Sequence, residues 1–189
     1  MGTSLKDLFG KKSSEEQADA VEEEIRSIIE EGHEQGAIMT DEAEMITNVF
    51  EFGDKQVRDV CCPRQKILGI EADTDIMEAL NIMLENSYSR YPIYEENLDN
   101  IIGVLHIKEA VTAYLDNVNQ TVRDLGSEPY YVHPTQKIRK LFNEMQSSKN
   151  HLAIVVDEYG QMDGLVAMED ILEELVGEIY DEVSSFILL

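Results

Sequence analysis

Cysteine is nearly absent from this chain, and the two that occur, Cys61 and Cys62, are neighbours. Adjacent cysteines rarely close a disulfide, because the peptide between them would be strained. Without a disulfide framework, a reducing compartment is favoured. Long apolar runs are also missing. No stretch reaches the ~18 to 20 residues of a membrane-spanning helix, and the amino terminus lacks a signal-peptide core. The chain as it stands is expected to be soluble. Basic residues are scarce: 15 Lys and Arg face 39 Asp and Glu, giving a formal net charge of −24. Such a chain repels nucleic-acid backbones and anionic membrane surfaces. Catalytic signatures are absent too. There is no Gly-x-x-x-x-Gly-Lys loop and no His/Cys pair at zinc spacing, and His33, His106, His133 and His151 are scattered. Enzymatic turnover is the least favoured reading.

What the chain does have is a repeat. Residues 150–172 read as a strand over 152–156, an Asp-Glu-Tyr-Gly turn, a second strand over 162–166 and a helix opening near Ala167. Residues 89–111 align with them at an offset of 61: Tyr91 falls on Leu152, Ile93 on Ile154, Gly103 on Gly164 and Glu109 on Asp170. Val57-Arg58-Asp59-Val60 and Val122-Arg123-Asp124-Leu125 open the two copies at an offset of 65, so the second copy has lost four residues before its first strand. Copy one continues with a strand over 67–71, a helix over 75–85 with Ile76, Ala79, Leu80 and Met83 inward, and a helix over 107–115. Copy two continues with a strand over 130–132 and a helix over 136–146 with Ile138, Leu141 and Met145 inward. The order β-α-β-β-α thus occurs twice, an α+β chain built of α/β-type repeats. One such unit leaves an apolar sheet face unfinished, so the two are expected to pack about a pseudo-twofold axis.

Ahead of the repeats, residues 1–14 read as a flexible leader and residues 15–55 as acidic helices and a linker. Ser14 caps the first helix, whose stripe is Val21, Ile25, Ile28 and Ile29, with Gly32 as its stop. The second runs from Thr40 to Phe52, with Met45, Ile46, Val49 and Phe50 as its buried stripe. Repeat one occupies 56–118, repeat two 119–182, and an apolar tail 183–189. Phe186 to Leu189 in that tail fit a dimer contact, the stump of a further domain or a remnant equally well.

Two such units resemble a CBS-domain pair, the adenine-nucleotide-sensing Bateman module. The blocks Phe50-Glu51-Phe52-Gly53-Asp54, Pro63-Arg64, Tyr88-Ser89-Arg90-Tyr91-Pro92, Val155-Val156-Asp157-Glu158-Tyr159-Gly160 and Glu169 through Ile179 narrow this. They are similar to the CorC/HlyC haemolysin-like family, relatives of the cyclin-M magnesium transporters, over about residues 38 to 182. The resemblance implies a regulatory piece of a membrane-associated magnesium and cobalt transport protein. A membrane domain precedes this region in the family and a small acidic domain follows it. It also implies a homodimer with no catalytic activity, whose ligand is AMP or ATP with Mg2+.

In the CBS pattern a strand ends in Gly-x-x-Thr/Ser-x-x-Asp where a helix begins. Helix-start amides suit a phosphate, the hydroxyl donates to it, and the acid accepts from the ribose. Copy two offers Gly164, Ala167, Met168, Glu169 and Asp170, with Ala167 in place of the hydroxyl residue. Copy one offers Gly103, His106 and Glu109 as a second-site set. By resemblance the working site adds Cys62 and Pro63, where the family often has Thr-Pro, with Tyr88, Arg90 and His151. Arg90 can answer phosphate charge bidentately. Glu169 beside Asp170 repels a bare triphosphate, and Mg2+ carried on the nucleotide relieves that repulsion, making Glu169 the metal-facing residue. Two other readings stay open: a dimerisation scaffold whose sites have decayed, and a divalent-cation sensor using Glu22-Glu23-Glu24 and Glu169-Asp170.

Overall fold

A computed structural model of the chain describes residues 14–116 and 120–177. The expected leader, tail and dimer-contact residues 186–189 lie outside the described residues. The described residues divide into two units, 14–51 with 176–177, and the remainder of the span 52–175.

In the first unit, α1 (Ser14–Glu34) runs through Gly32 and past the expected stop. The turn is made instead by Gly36, at φ +71°, a conformation that costs glycine little. Gly32 has a packing role: a Cβ there would stand 2.8 Å from the Ile38 side chain, and its carbonyl accepts the Ala37 and Ile38 amides. Helix α2 (Thr40–Phe52) starts where Glu42 reaches back to the Met39 amide at 2.9 Å. Arg26 pairs with Glu22 and lies 5.1 Å over the Phe50 ring, tying α1 to α2. Of the first expected stripe only Ile29 is buried. Val21 (56%) and Ile28 (61%) are exposed, as are Met45 and Val49 of α2.

The second unit carries both repeats. Copy one consists of α3 (Val57–Val60), β1 (Cys62–Pro63), a 3-10 turn (Arg64–Lys66), β2 (Ile70–Glu71), α4 (Ile76–Asn86), β3 (Arg90–Glu95), β4 (Asn97–His106) and α5 (Ile107–Leu115). Copy two consists of α6 (Val122–Leu125), β5 (Tyr130–Val132), α7 (Ile138–Ser148), β6 (Leu152–Val156), β7 (Met162–Ala167) and α8 (Met168–Val176). The inward residues read from helical spacing in α4 and α7 are all buried. Asp75 caps α4 by accepting the Met77 amide at 2.8 Å. Both helices end on a non-glycine residue in the left-handed region, Ser87 at φ 60° and Lys149 at φ 58°. The strand expected over 67–71 shrinks to Ile70–Glu71, because the residues before it form the 3-10 turn and a loop.

The repeats exchange their opening segments. Strand β1 of copy one pairs antiparallel with β7 of copy two, giving the sheet order β1-β7-β6-β5. The reciprocal contact is the bridge between Ser127 of copy two and Val104 beside the sheet β2-β3-β4. Helix α3 docks on copy two, its Val57 and Arg58 amides donating to the carbonyls of Gln136 and Pro134. Helix α6 docks on copy one through the carbonyls of Thr74 and Ala72. The cores follow suit. Val122 is sealed among Ile76, Leu80 and Leu105, while Val57 is sealed among Ile138, Leu141 and Ile171. A third cluster of Ile101, Ile154 and Met162 joins the repeats directly. Neither half closes its apolar interior without a segment from the other, which explains why the repeat is tandem.

Candidate functional site

The exchange creates two cavities where the opening of one copy meets the last strand of the other. Cavity A, about 390 Å3, is lined by Cys62, Lys66, Ile67, Leu68, Ser87, Tyr88, Ser89, Arg90, Pro92, His151, Leu152, Leu165, Ala167, Glu169 and Asp170. Cavity B, about 280 Å3, is lined by Arg90, Val104, His106, Lys108, Glu109, Ser127, Glu128, Lys149, Asn150, His151 and Leu152. The two are related by the repeat: Ala167 and Asp170 of A correspond to His106 and Glu109 of B, and Leu165 to Val104. Arg90 and His151 line both.

Cavity A gathers the expected Cys62, Tyr88, Arg90, His151, Ala167, Glu169 and Asp170. Pro63, Gly164 and Met168 are not in its lining. Pro63 is exposed and pairs with Gly164 in the β1–β7 ladder. A Cβ on Gly164 would stand 2.4 Å from the Cys62 carbonyl oxygen, so glycine is there to let two backbones meet. Met168 packs its side chain against the copy-two core and donates its amide to the His151 carbonyl at 3.0 Å. The Ala167 amide donates to the Asp170 carboxylate at 2.7 Å. These two amides are therefore occupied, and the expectation that they greet a phosphate is corrected. In cavity B, His106 and Glu109 line the wall as expected. Gly103 does not, because it faces Gly126, whose Cα would lie 3.4 Å from a Cβ at position 103. The His106 ring accepts the Lys108 amide at 2.9 Å, and Glu109 accepts the His106 amide at 3.2 Å, so α5 caps itself.

The site residues are held by ordinary forces. Tyr91 is fully buried; its hydroxyl donates to the Met83 carbonyl and accepts the Tyr88 amide, both at 3.2 Å. Tyr88 then rests edge-on against that ring, centroids 6.0 Å apart. Burial pushes the Asp170 carboxyl above the usual range, with the adjacent Glu169 charge adding to it and the Ala167 amide opposing. The residues that sequence reasoning missed are Lys66, Ile67 and Leu68. They belong to the segment that makes copy one four residues longer, and that excess was the available signal. Arg64 pins the segment by forking onto Asp99, which also accepts the Met162 amide at 3.0 Å. Copy two has no such segment, so cavity B has only Val104 and Leu152 as aliphatic lining.

A third, open depression of about 490 Å3 runs along α7. Its Lys137 donates to the Asp54 carbonyl and its Lys140 pairs with Glu144. Among the described residues no group of three or more His, Cys, Asp or Glu is placed to hold a metal ion, and no helix is long and apolar enough to cross a membrane.

The family model of the CBS domain matches residues 57–116 and 122–177. The hemolysin C homolog of Rickettsia rickettsii (strain Sheila Smith) is 38% identical over 143 residues, 75% of this chain and 48% of that protein. The solved CBS domain of a bacterial CNNM/CorC family Mg2+ transporter has a TM-score of 0.77 at 38% identity, covering 85% of this chain and 98% of that one. A CBS domain of a bacterial CNNM/CorC family Mg2+ transporter in complex with ATP has a TM-score of 0.68 at 37% identity, covering 72% and 97%. The chain spans less than half the length of curated relatives such as these UPF0053 and hemolysin C proteins. Its two matched repeats, the exchanged architecture and these relatives together place it: the chain belongs to the CBS-domain family, as a tandem CBS pair of the haemolysin-like CorC group.

Proposed function

We propose that this pair is a non-catalytic regulatory module that binds one adenine nucleotide, AMP or ATP with Mg2+, in cavity A. One observation carries the reading: cavity A sets an apolar wall of Ile67, Leu68, Leu152 and Leu165 beside a partly buried carboxylate and two cations, Lys66 and Arg90. An apolar cleft with a few convergent polar groups is the usual form of a small-molecule site. The wall suits adenine, Asp170 suits the ribose hydroxyls, and Lys66 with Arg90 suits phosphate. Glu169 favours a Mg2+-bound nucleotide over a bare one. Ala167 removes a hydroxyl contact, which costs about 1 kcal/mol and weakens binding several-fold without abolishing it.

Because the cavity is walled by both copies, a bound nucleotide favours one arrangement of the pair over others. That bias would pass to a divalent-cation transport domain of the parent protein. The pairing of two chains is supported by exposed apolar side chains on two neighbouring helices, Met77 and Leu84 of α4 and Val111 and Tyr114 of α5.

Calorimetric titration of AMP, ADP and ATP, each with and without Mg2+, tests the reading. Saturable binding of one nucleotide per chain is expected, with ATP strengthened by Mg2+. A folded chain that gives no binding heat with any nucleotide overturns the sensor and leaves the dimerisation scaffold as the better account.

A further inference from the structure

Two residues of copy one have no counterpart in copy two. Arg64 falls on Pro129 at the offset of 65 and Asp99 on Gly160 at the offset of 61, so the ion pair between them occurs once. Neither side chain lines cavity A.

Asp99 joins three segments. Its two oxygens take the Arg64 fork, one of those bonds at 3.0 Å, and it also accepts the Met162 amide of β7 at 3.0 Å. Arg64 reaches the Met162 carbonyl at 3.4 Å. The hairpin that presents Asp99 is irregular. Its β3–β4 register shifts twice and Glu96 lies at φ 65°, the kind of distortion that re-aims a side chain. The segment leaving Arg64 meets the same hairpin again at Gly69, where a Cβ would stand 2.9 Å from the Tyr94 and Leu98 side chains. Between these two points Ile67 packs with Ile101, Ile154 and Met162, and Ile67 and Leu68 line cavity A. An ion pair whose side chains are 34% and 40% exposed adds little to global stability. Its placement decides where the apolar wall stands.

We propose that Arg64 and Asp99 are positioning residues for cavity A, whose ion pair sets nucleoside affinity by holding Ile67 and Leu68 in place. Neither touches the ligand. This inference rests on the nucleotide reading and adds to it the device that shapes the base-binding wall.

The test makes two measurements on the full chain. One is hydrogen exchange of the Ile67 amide, which donates to the Arg64 carbonyl at 3.1 Å. The other is calorimetric titration of AMP and of ATP with Mg2+. Arg64→Gln and Asp99→Asn should each speed that exchange and weaken both nucleotides about tenfold, the scale of losing part of an apolar contact. The double variant should be no weaker than either single one, because a single pair is removed only once. Charge alone would give opposite signs: losing Arg64 weakens a phosphate ligand, and losing the Asp99 charge strengthens it. Denaturant midpoints should stay near that of the wild type. Arg123→Gln, which breaks the exposed pairs with Asp73 and Glu95 that also link the repeats, should alter neither exchange nor affinity. The inference is overturned by unchanged Ile67 exchange, by faster exchange with unaltered affinity, by additive losses, by opposite signs in the two single variants, or by equal losses in Arg123→Gln. Each of those results leaves the nucleotide reading standing. A wild-type chain that binds neither nucleotide sinks that reading, and this inference with it.

Discussion

Gly164→Ala lowers the stability of the repeat pair by about 1 to 3 kcal/mol, the usual cost of forcing extra volume into a packed interior. Against a total of about 5 to 15 kcal/mol for a domain, that is a large fraction. The added Cβ meets the Cys62 carbonyl oxygen at 2.4 Å, and that atom is backbone, so no side-chain rotation relieves the clash. Strand β1 must lift from β7, breaking the pairs Cys62↔Leu165 and Pro63↔Gly164. Because β1 leads directly into Lys66, Ile67 and Leu68, the wall of cavity A moves with it and nucleotide affinity falls as well. Gly103→Ala provides the contrast. There the nearest atom is the flexible end of the Ile93 side chain, at 3.2 Å, and the loss should be smaller. Denaturant midpoints of both variants check this; equal losses would show that the exchanged strand has no special tightness.

Asp170→Asn weakens nucleotide binding by about ten- to a hundredfold, from the loss of charge-assisted hydrogen bonds worth about 1.5 to 3 kcal/mol. Asparagine keeps a carbonyl oxygen for the Ala167 amide, so the start of α8 stays capped and the effect is read at the ligand. The same residue sets a pH dependence of two opposite signs. Burial holds the Asp170 carboxyl above the range of an ordinary aspartate. A carboxyl raised in the folded state opposes folding at neutral pH, and that opposition fades as pH falls through the raised value. The nucleotide-free protein should therefore gain from Asp170 on mild acidification, while nucleotide affinity declines over the same interval because the protonated acid loses acceptor capacity. Asp170→Asn should remove both trends. Melting temperatures and titrations at stepped pH, compared between wild type and variant, read the two signs separately. If the variant keeps both trends, another group is responsible.

Much of this was legible in the sequence because it is local. Helical spacing placed Ile76, Ala79, Leu80 and Met83 inward, the 61-residue offset paired Gly103 with Gly164, and the turn before β7 announced itself by composition. The exchange was not legible. Val57 and Val122 look alike in their own copies, and only long-range packing assigns each to the other core. For the same reason Gly164 reads as a nucleotide-site glycine in the sequence, while its place in the fold is a point of close strand contact. Ile67 and Leu68 satisfy a strand pattern, yet the Arg64–Asp99 pin holds them in a loop that becomes a cavity wall. The exposed stripes of α1 and α2 show the limit of periodicity, which marks an apolar face without naming what covers it.

The central claim is that the nucleotide lies in cavity A, against the segment that only copy one possesses. A crystal structure of the chain grown with ATP and Mg2+ tests it most directly. The account predicts the adenine against Ile67, Leu68 and Leu165, the ribose on Asp170 and the phosphates towards Lys66 and Arg90. A nucleoside seated in cavity B, or on the open face of α7 with cavity A unaltered, would contradict it.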